Sequence, residues 1–244
     1  SATGGAHDFG TNSLIWHLVA MLLWVGGLMA LVAHAYRRGP GLAGAASRYS
    51  RIALFAILAM AVSGVVNALV RVRLEDLTQY AYGWVLIIKT AGIIVLGLIG
   101  YVHRERTIPQ LGSRPRAFTR LAAGEVLIMA AISGLAVTLG RTPPPPPQDP
   151  NLTRMQVQMG YNLEEPLTWT NWLTQWRPEL LFSVIAVLLA VYYLHLARRV
   201  EGWPVGRTVW WLLGCATTVI TLSSGLGMHM PASYSAHMTV HMIL

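Results

Sequence analysis

The sequence predicts an all-α, polytopic membrane protein, a four-helix transmembrane bundle followed by a second, incomplete one. Three observations carry this prediction. Of the 244 residues, 54% are hydrophobic and 11% charged, whereas soluble chains carry about a quarter charged residues. The apolar residues gather into runs close to the ~20 that a helix needs to cross a bilayer. The arginines crowd into alternate loops, the pattern of a chain that crosses repeatedly with its basic loops on the cytoplasmic side.

The runs fall at residues 13–35, 52–70, 83–102, 119–139, 179–197 and 208–226, with a seventh beginning near 233 and meeting the last residue, Leu244, in mid-span. The sequence also starts without an initiator Met or a signal peptide, so further chain is expected beyond both ends. Between the fourth and fifth runs, Pro143 to Pro147 form a stiff, extended stretch. A polar segment follows, with Trp169, Trp172 and Trp176 near its end, where an interfacial aromatic belt is expected. The domain reading is a four-helix bundle over 1–142, an extracytoplasmic Pro-rich linker over 143–176, and a second bundle over 177–244.

The formal net charge of +8 is distributed by topology, which argues against a nucleic-acid partner. Loops 36–51, 103–120 and 198–207 hold Arg37, Arg38, Arg48, Arg51, Arg104, Arg106, Arg114, Arg116, Arg120, Arg198, Arg199 and Arg207. The loops between them balance their arginines with Glu75, Asp76, Asp149, Glu164, Glu165 and Glu179. The expected location is the cytoplasmic (inner) membrane, with the N-terminus of this segment and loop 227–236 outside. Cys215, the single cysteine, excludes an internal disulfide and any CxxC motif.

Charged and polar groups inside the spans mark function by default, because each charge costs about 2.5–3.5 kcal/mol at a span's centre. The sole lysine, Lys89, lies in the third span and Glu125 in the fourth. By helix rise, His17 and Lys89 fall ~6–8 Å below the outer boundary and Asn67 slightly shallower, while Glu125 lies at ~20 Å. This difference in level argues against a direct Lys89–Glu125 salt bridge and for an outer polar group of His17, Asn67 and Lys89. Two stripes accompany them: His17 with Met21 in the first span, and Glu125, Met129 and Ser133 in the fourth. The alternative is that Lys89 snorkels and the methionines are packing.

The C-terminal run Met228-His229-Met230 is followed by His237-Met238 and His241-Met242. Imidazole and thioether are the donors that soft Cu(I) prefers. His237 and His241, four residues apart, share one helix face. The candidate metal ligands are therefore Met228, His229, Met230, His237 and His241, with His17 and Met21 in the first bundle.

The pattern His17-x6-Trp24-Val25-Gly26-Gly27, Ser63-Gly64, Tyr82-Gly83-x5-Lys89, Arg120-x4-Glu125 and the prolines after 142 resembles the CopD family of copper resistance and uptake membrane proteins. Trp203-Pro204-x2-Arg207, the stretch from Ser223-Ser224 to Met230, and His237-Met238-x2-His241-Met242 resemble the start of a CtaG-type cytochrome c oxidase assembly domain. The two resemblances cover most of 13–147 and roughly 165–244. They imply copper import, or copper delivery to a terminal oxidase.

The expected function is Cu(I) handling without catalytic turnover. The expected partners are the lipid bilayer, a cytochrome c oxidase or respiratory supercomplex, and an extracytoplasmic copper chaperone. Two alternatives stand beside it. One is a structural or accessory subunit of a respiratory oxidase assembly. The other is a b-type cytochrome with haem between His34 and His103. No nucleophile elbow, P-loop or HExxH motif points to an enzyme.

Overall fold

The structure, a computed structural model, describes residues 6–37, 39–102, 105, 115–143, 145 and 151–244, and side chains over the same residues except 115–122. Arg38, His103, Arg104, Arg106, Arg114, Pro144, Pro146 and Pro147 lie outside the described residues, as do the side chains of Arg116 and Arg120. The haem pairing of His34 with His103 and the stiffness of the proline run fall there too.

The protein is all-α and polytopic. Helices α1 (His7–Tyr36), α2 (Leu42–Arg71), α3 (Ala81–Val102) and α4 (Pro115–Arg141) come first. They are followed by α5 (Arg154–Met159), α6 (Trp169–Thr174), α7 (Phe182–Ala197), α8 (Val205–Ser223), α9 (Gly225–His229) and α10 (Tyr234–Ile243). Among the described residues, five helices are long and apolar enough to cross a membrane: α1, α2, α3, Ala123–Arg141 of α4, and α8. At 1.5 Å per residue, the 30-residue α1 and α2 are ~45 Å long, so their ends outrun the ~30 Å hydrocarbon core.

Two helices depart from the expected spans for identifiable reasons. The fifth run begins at Glu179 in the sequence, but the helix starts at Phe182 and is 16 residues long. Glu179 is used as a cap: its carboxylate accepts from the backbone N–H of Leu181 at 2.8 Å and of Ser183 at 2.9 Å. The sixth run breaks at Ser224, which is extended (φ −82°, ψ 178°) and pairs with Trp176 in an isolated β-bridge. Gly225 follows because a Cβ there would collide with the Asn171 carbonyl.

The chain forms two compact units, one of Ser13–Pro150 and one that joins the described residues up to Asn12 to Asn151–Leu244. In the first, α1 and α2 pack antiparallel around Ala20, Trp24, Leu28, Ala56 and Met60, with Leu96, Met129 and Ile132 of α3 and α4 in the same buried cluster. With no water to exclude between helices in lipid, such a core is held by close packing and interhelical hydrogen bonds. Tyr49 supplies one of these, its hydroxyl donating to the Trp24 carbonyl at 2.8 Å.

In the second unit, α7 and α8 are joined by Tyr193 stacked on Trp211 at 5.3 Å and accepting from Trp203 Nε1 at 2.9 Å. A small core of Leu226, Ala236 and Val240 with Trp172, Leu222 and Met230 seats α9 and α10. Trp172 is therefore turned inward, whereas Trp169 and Trp176 are exposed as a belt requires.

Arg177 holds the second unit's ends together. Its guanidinium clasps Asp8 through Nη2–Oδ1 at 2.7 Å and Nε–Oδ2 at 3.0 Å, lying over the Phe9 ring at 4.2 Å and the Tyr161 ring at 4.5 Å. Tyr161 then donates its hydroxyl to the Met228 carbonyl at 2.8 Å.

Candidate functional site

The sequence-predicted ligands fall into three separate settings. The first is α10. Ser233 caps it by accepting from the Ala236 N–H, and Ala236 and Val240 bury one stripe of the helix. The next stripe around the helix carries His237 and His241, and the one after it Met238 and Met242, which are exposed.

The two imidazoles meet edge to face, with centroids 4.7 Å apart and Nε2 atoms at 3.1 Å. Two nitrogens at that separation, each ~2.0–2.1 Å from a shared ion, subtend ~100° at it, close to a tetrahedral angle. Met238 sits one turn before His241 and Met242 one turn after Met238, so thioethers border the pair. This donor set fits a soft ion.

The second setting is the loop Met228-His229-Met230. His229 is buried, with Nδ1 at 2.7 Å from the Gly225 carbonyl and Nε2 at 3.0 Å from the Glu165 carbonyl. Carbonyl oxygens only accept, so both ring nitrogens are directed at acceptors and neither offers an open position to a metal. Met230 packs into the core under α10. Met228 takes part through its backbone carbonyl, held by Tyr161. Burial pushes the Tyr161 phenol above its ordinary value, with Arg177 opposing and Asp8 reinforcing, so it stays a donor. Sequence reasoning missed this scaffold because its partners, Glu165 and Tyr161, are more than sixty residues away.

The third setting is between α1 and α2. His17 Nδ1 and Ser63 Oγ are 3.1 Å apart, and the Asn67 amide donates to Ser13 Oγ at 2.7 Å and to the Ser63 carbonyl at 3.0 Å. His17, Asn67 and Lys89 were expected to group. His17 and Asn67 do so through Ser63, and Lys89 lies within electrostatic reach of His17. Met21 packs against the buried core one turn below His17.

Glu125 is buried at the far end of α3, with its carboxylate beside Gly100. That places it eleven residues, or ~16 Å of helix rise, from the level of Lys89. Among the described residues, no three side chains of His, Cys, Asp and Glu come together.

Comparisons with known proteins match two stretches of the chain. Residues 43–139 match the family described as copper resistance protein D, and residues 187–244 match the cytochrome c oxidase caa3 assembly factor family, in that order. Uncharacterized proteins of Mycobacterium bovis and Mycobacterium tuberculosis are each 42% identical over 96 residues, and one of Mycobacterium leprae is 38% identical over the same length. Those alignments cover 38% of this chain but only 14–15% of the relatives, so the chain spans a small part of their length. No solved structure matches.

Proposed function

We propose that this chain handles Cu(I) at the cytoplasmic membrane without catalytic turnover. His237 and His241 take up the ion on the extracytoplasmic side, with Met238 and Met242 as further donors. It is then passed to a terminal cytochrome c oxidase, directly or through a chaperone, or inward by way of His17 and Met21. The family matches make copper handling and oxidase assembly the common theme of the two halves.

The single observation that supports the capture site is the 3.1 Å approach of the two Nε2 atoms. Two imidazole nitrogens this close on an exposed helix face, bordered by thioethers, suit a shared, exchangeable ion once it displaces the proton between them. The arginine pattern supports the orientation, since it places the α9–α10 region opposite the basic loops. His229 is left out of the ligand set because both its nitrogens are engaged by carbonyls.

Competition titration with a Cu(I) chelator tests the reading. The variant His237→Ala/His241→Ala should bind Cu(I) at least ten-fold more weakly than the parent, and unchanged affinity would remove the site.

A further inference from the structure

We infer that the first unit holds a second Cu(I) site, inside the membrane, built from His17 Nε2 and the thioethers of Met21, Met60 and Met129. It rests on the copper-handling reading above and deepens it, by assigning the inward route a stopping point and its ligands.

The argument begins with one proton. Ser63 has a single hydroxyl hydrogen, and it is used within α2, on the Ala59 carbonyl at 2.7 Å with the Met60 carbonyl at 3.2 Å. Ser63 Oγ can therefore only accept from His17 Nδ1 at 3.1 Å. The proton of the neutral imidazole is thereby held on Nδ1, and the lone pair falls on Nε2, the nitrogen that Ser63 leaves unengaged, in a ring that is buried. Holding one ring nitrogen protonated so that the other binds metal is how proteins orient histidine ligands.

A second atom in the same group points the same way. Asn67 donates both its hydrogen bonds, to Ser13 and to the Ser63 carbonyl, which fixes the amide's orientation. Its Oδ1 is left buried with no partner. A buried amide oxygen without a hydrogen to meet, on the helix interface that also holds the His17 ring, is what a visiting cation would satisfy.

The thioethers lie next along the bundle. Because α1 and α2 run antiparallel and touch at His17–Ser63, the residues one turn deeper, Met21 on α1 and Met60 on α2, come to the same level. Met60 is 5% exposed and Met129, from α4, 2% exposed, and Met21 packs against the cluster that contains both. Three helices thus each contribute a methionine to the same buried cluster, with Met21 one turn from His17.

The proposed ligands are neutral, and three soft thioethers with one imidazole form a set that favours Cu(I) over harder ions. Lys89, within electrostatic reach of His17, sharpens the choice, since its repulsion of a divalent ion is twice that of a monovalent one. Glu125, one turn from Met129 on α4, offers the next, harder ligand on the inward side.

The test uses the whole chain in lipid nanodiscs, with His237→Ala/His241→Ala removing the α10 pair. Loaded with Cu(I), this variant should keep about one copper, with sulfur scatterers in its X-ray absorption spectrum. Adding Met60→Leu and Met129→Leu, which conserve volume, should weaken that copper at least ten-fold. Selenomethionine-labelled protein, which needs no core substitution, should show copper–selenium scattering. Ag(I) should compete and Zn(II) should not. Copper that vanishes with the α10 pair, or that shows only nitrogen and oxygen scatterers, would overturn this inference and leave the α10 site standing. A parent chain that binds no Cu(I) would overturn both.

Discussion

Arg177 and Asp8, 169 residues apart in the sequence, form a bidentate ion pair with both side chains largely withdrawn from solvent. The guanidinium lies against two aromatic rings, and the backbone N–H of Arg177 is tied to the Ser223 carbonyl at 2.8 Å. One residue thus fixes the start of α1, the Tyr161 loop and the end of α8, on which α9 and α10 are seated. The helix that carries the histidine pair is seated on elements that this clasp ties together.

Asp8→Asn and Arg177→Met should each lower stability by about 1–3 kcal/mol, because each leaves the other's charge unmatched among apolar rings. The double variant should cost less than the sum of the two, since the pair acts as a unit. Thermal unfolding in detergent reads both. Strict additivity would mean the two side chains do not interact.

Gly160→Ala should be among the most harmful single-methyl changes in the protein. The residue is left-handed (φ 86°), where an L side chain costs about 1–2 kcal/mol. The new Cβ would also lie 2.5 Å from Asp8 Oδ1 and push the carboxylate off Arg177. Its melting temperature should fall at least as far as that of Asp8→Asn, whereas a neutral effect would contradict the close approach.

Tyr161→Phe removes the hydroxyl that holds the Met228 carbonyl and should cost about 1 kcal/mol. The phenol's folded-state value is raised above its ordinary 10.0, chiefly by burial. Its contribution is therefore complete below pH ~10 and is lost as the pH climbs through the raised value. Following tyrosinate absorbance should show a fraction of phenols titrating above the exposed ones or only on unfolding. The phenylalanine variant should lose one phenol's share of that late fraction.

Ser63→Ala should leave the bundle folded but release the His17 tautomer, since no acceptor then holds the Nδ1 proton. Ser63→Thr keeps a hydroxyl and should retain it. Nitrogen-15 chemical shifts of the His17 ring distinguish the two tautomers directly. A parent protein with its proton on Nε2 would contradict the hydrogen-bond assignment.

Much of this arrangement is legible in the sequence where a single helix determines it. The apolar runs gave the long helices, and the four-residue spacing of His237 and His241 anticipated their meeting. Glu179 was read as the first residue of a span because a carboxylate next to an apolar run looks the same whether it enters the helix or caps it. The break at Ser224 was hidden by Ser and Gly, which membrane helices tolerate, and it is set by the approach of the Asn171 backbone. His229 looked like a ligand because its partners are backbone carbonyls, which leave no mark in side-chain chemistry. Met60 was passed over, yet Met60, Ser63 and Asn67 follow one another at helical spacing, a stripe that a search for polar residues beside thioethers would have found.

The most direct measurement is copper per polypeptide after loading the purified, membrane-embedded chain with Cu(I), for the parent beside His237→Ala/His241→Ala. The account predicts about two coppers in the parent and about one in the variant, from one site on α10 and one in the first unit. Equal copper in the two proteins, or none in the parent, would contradict it.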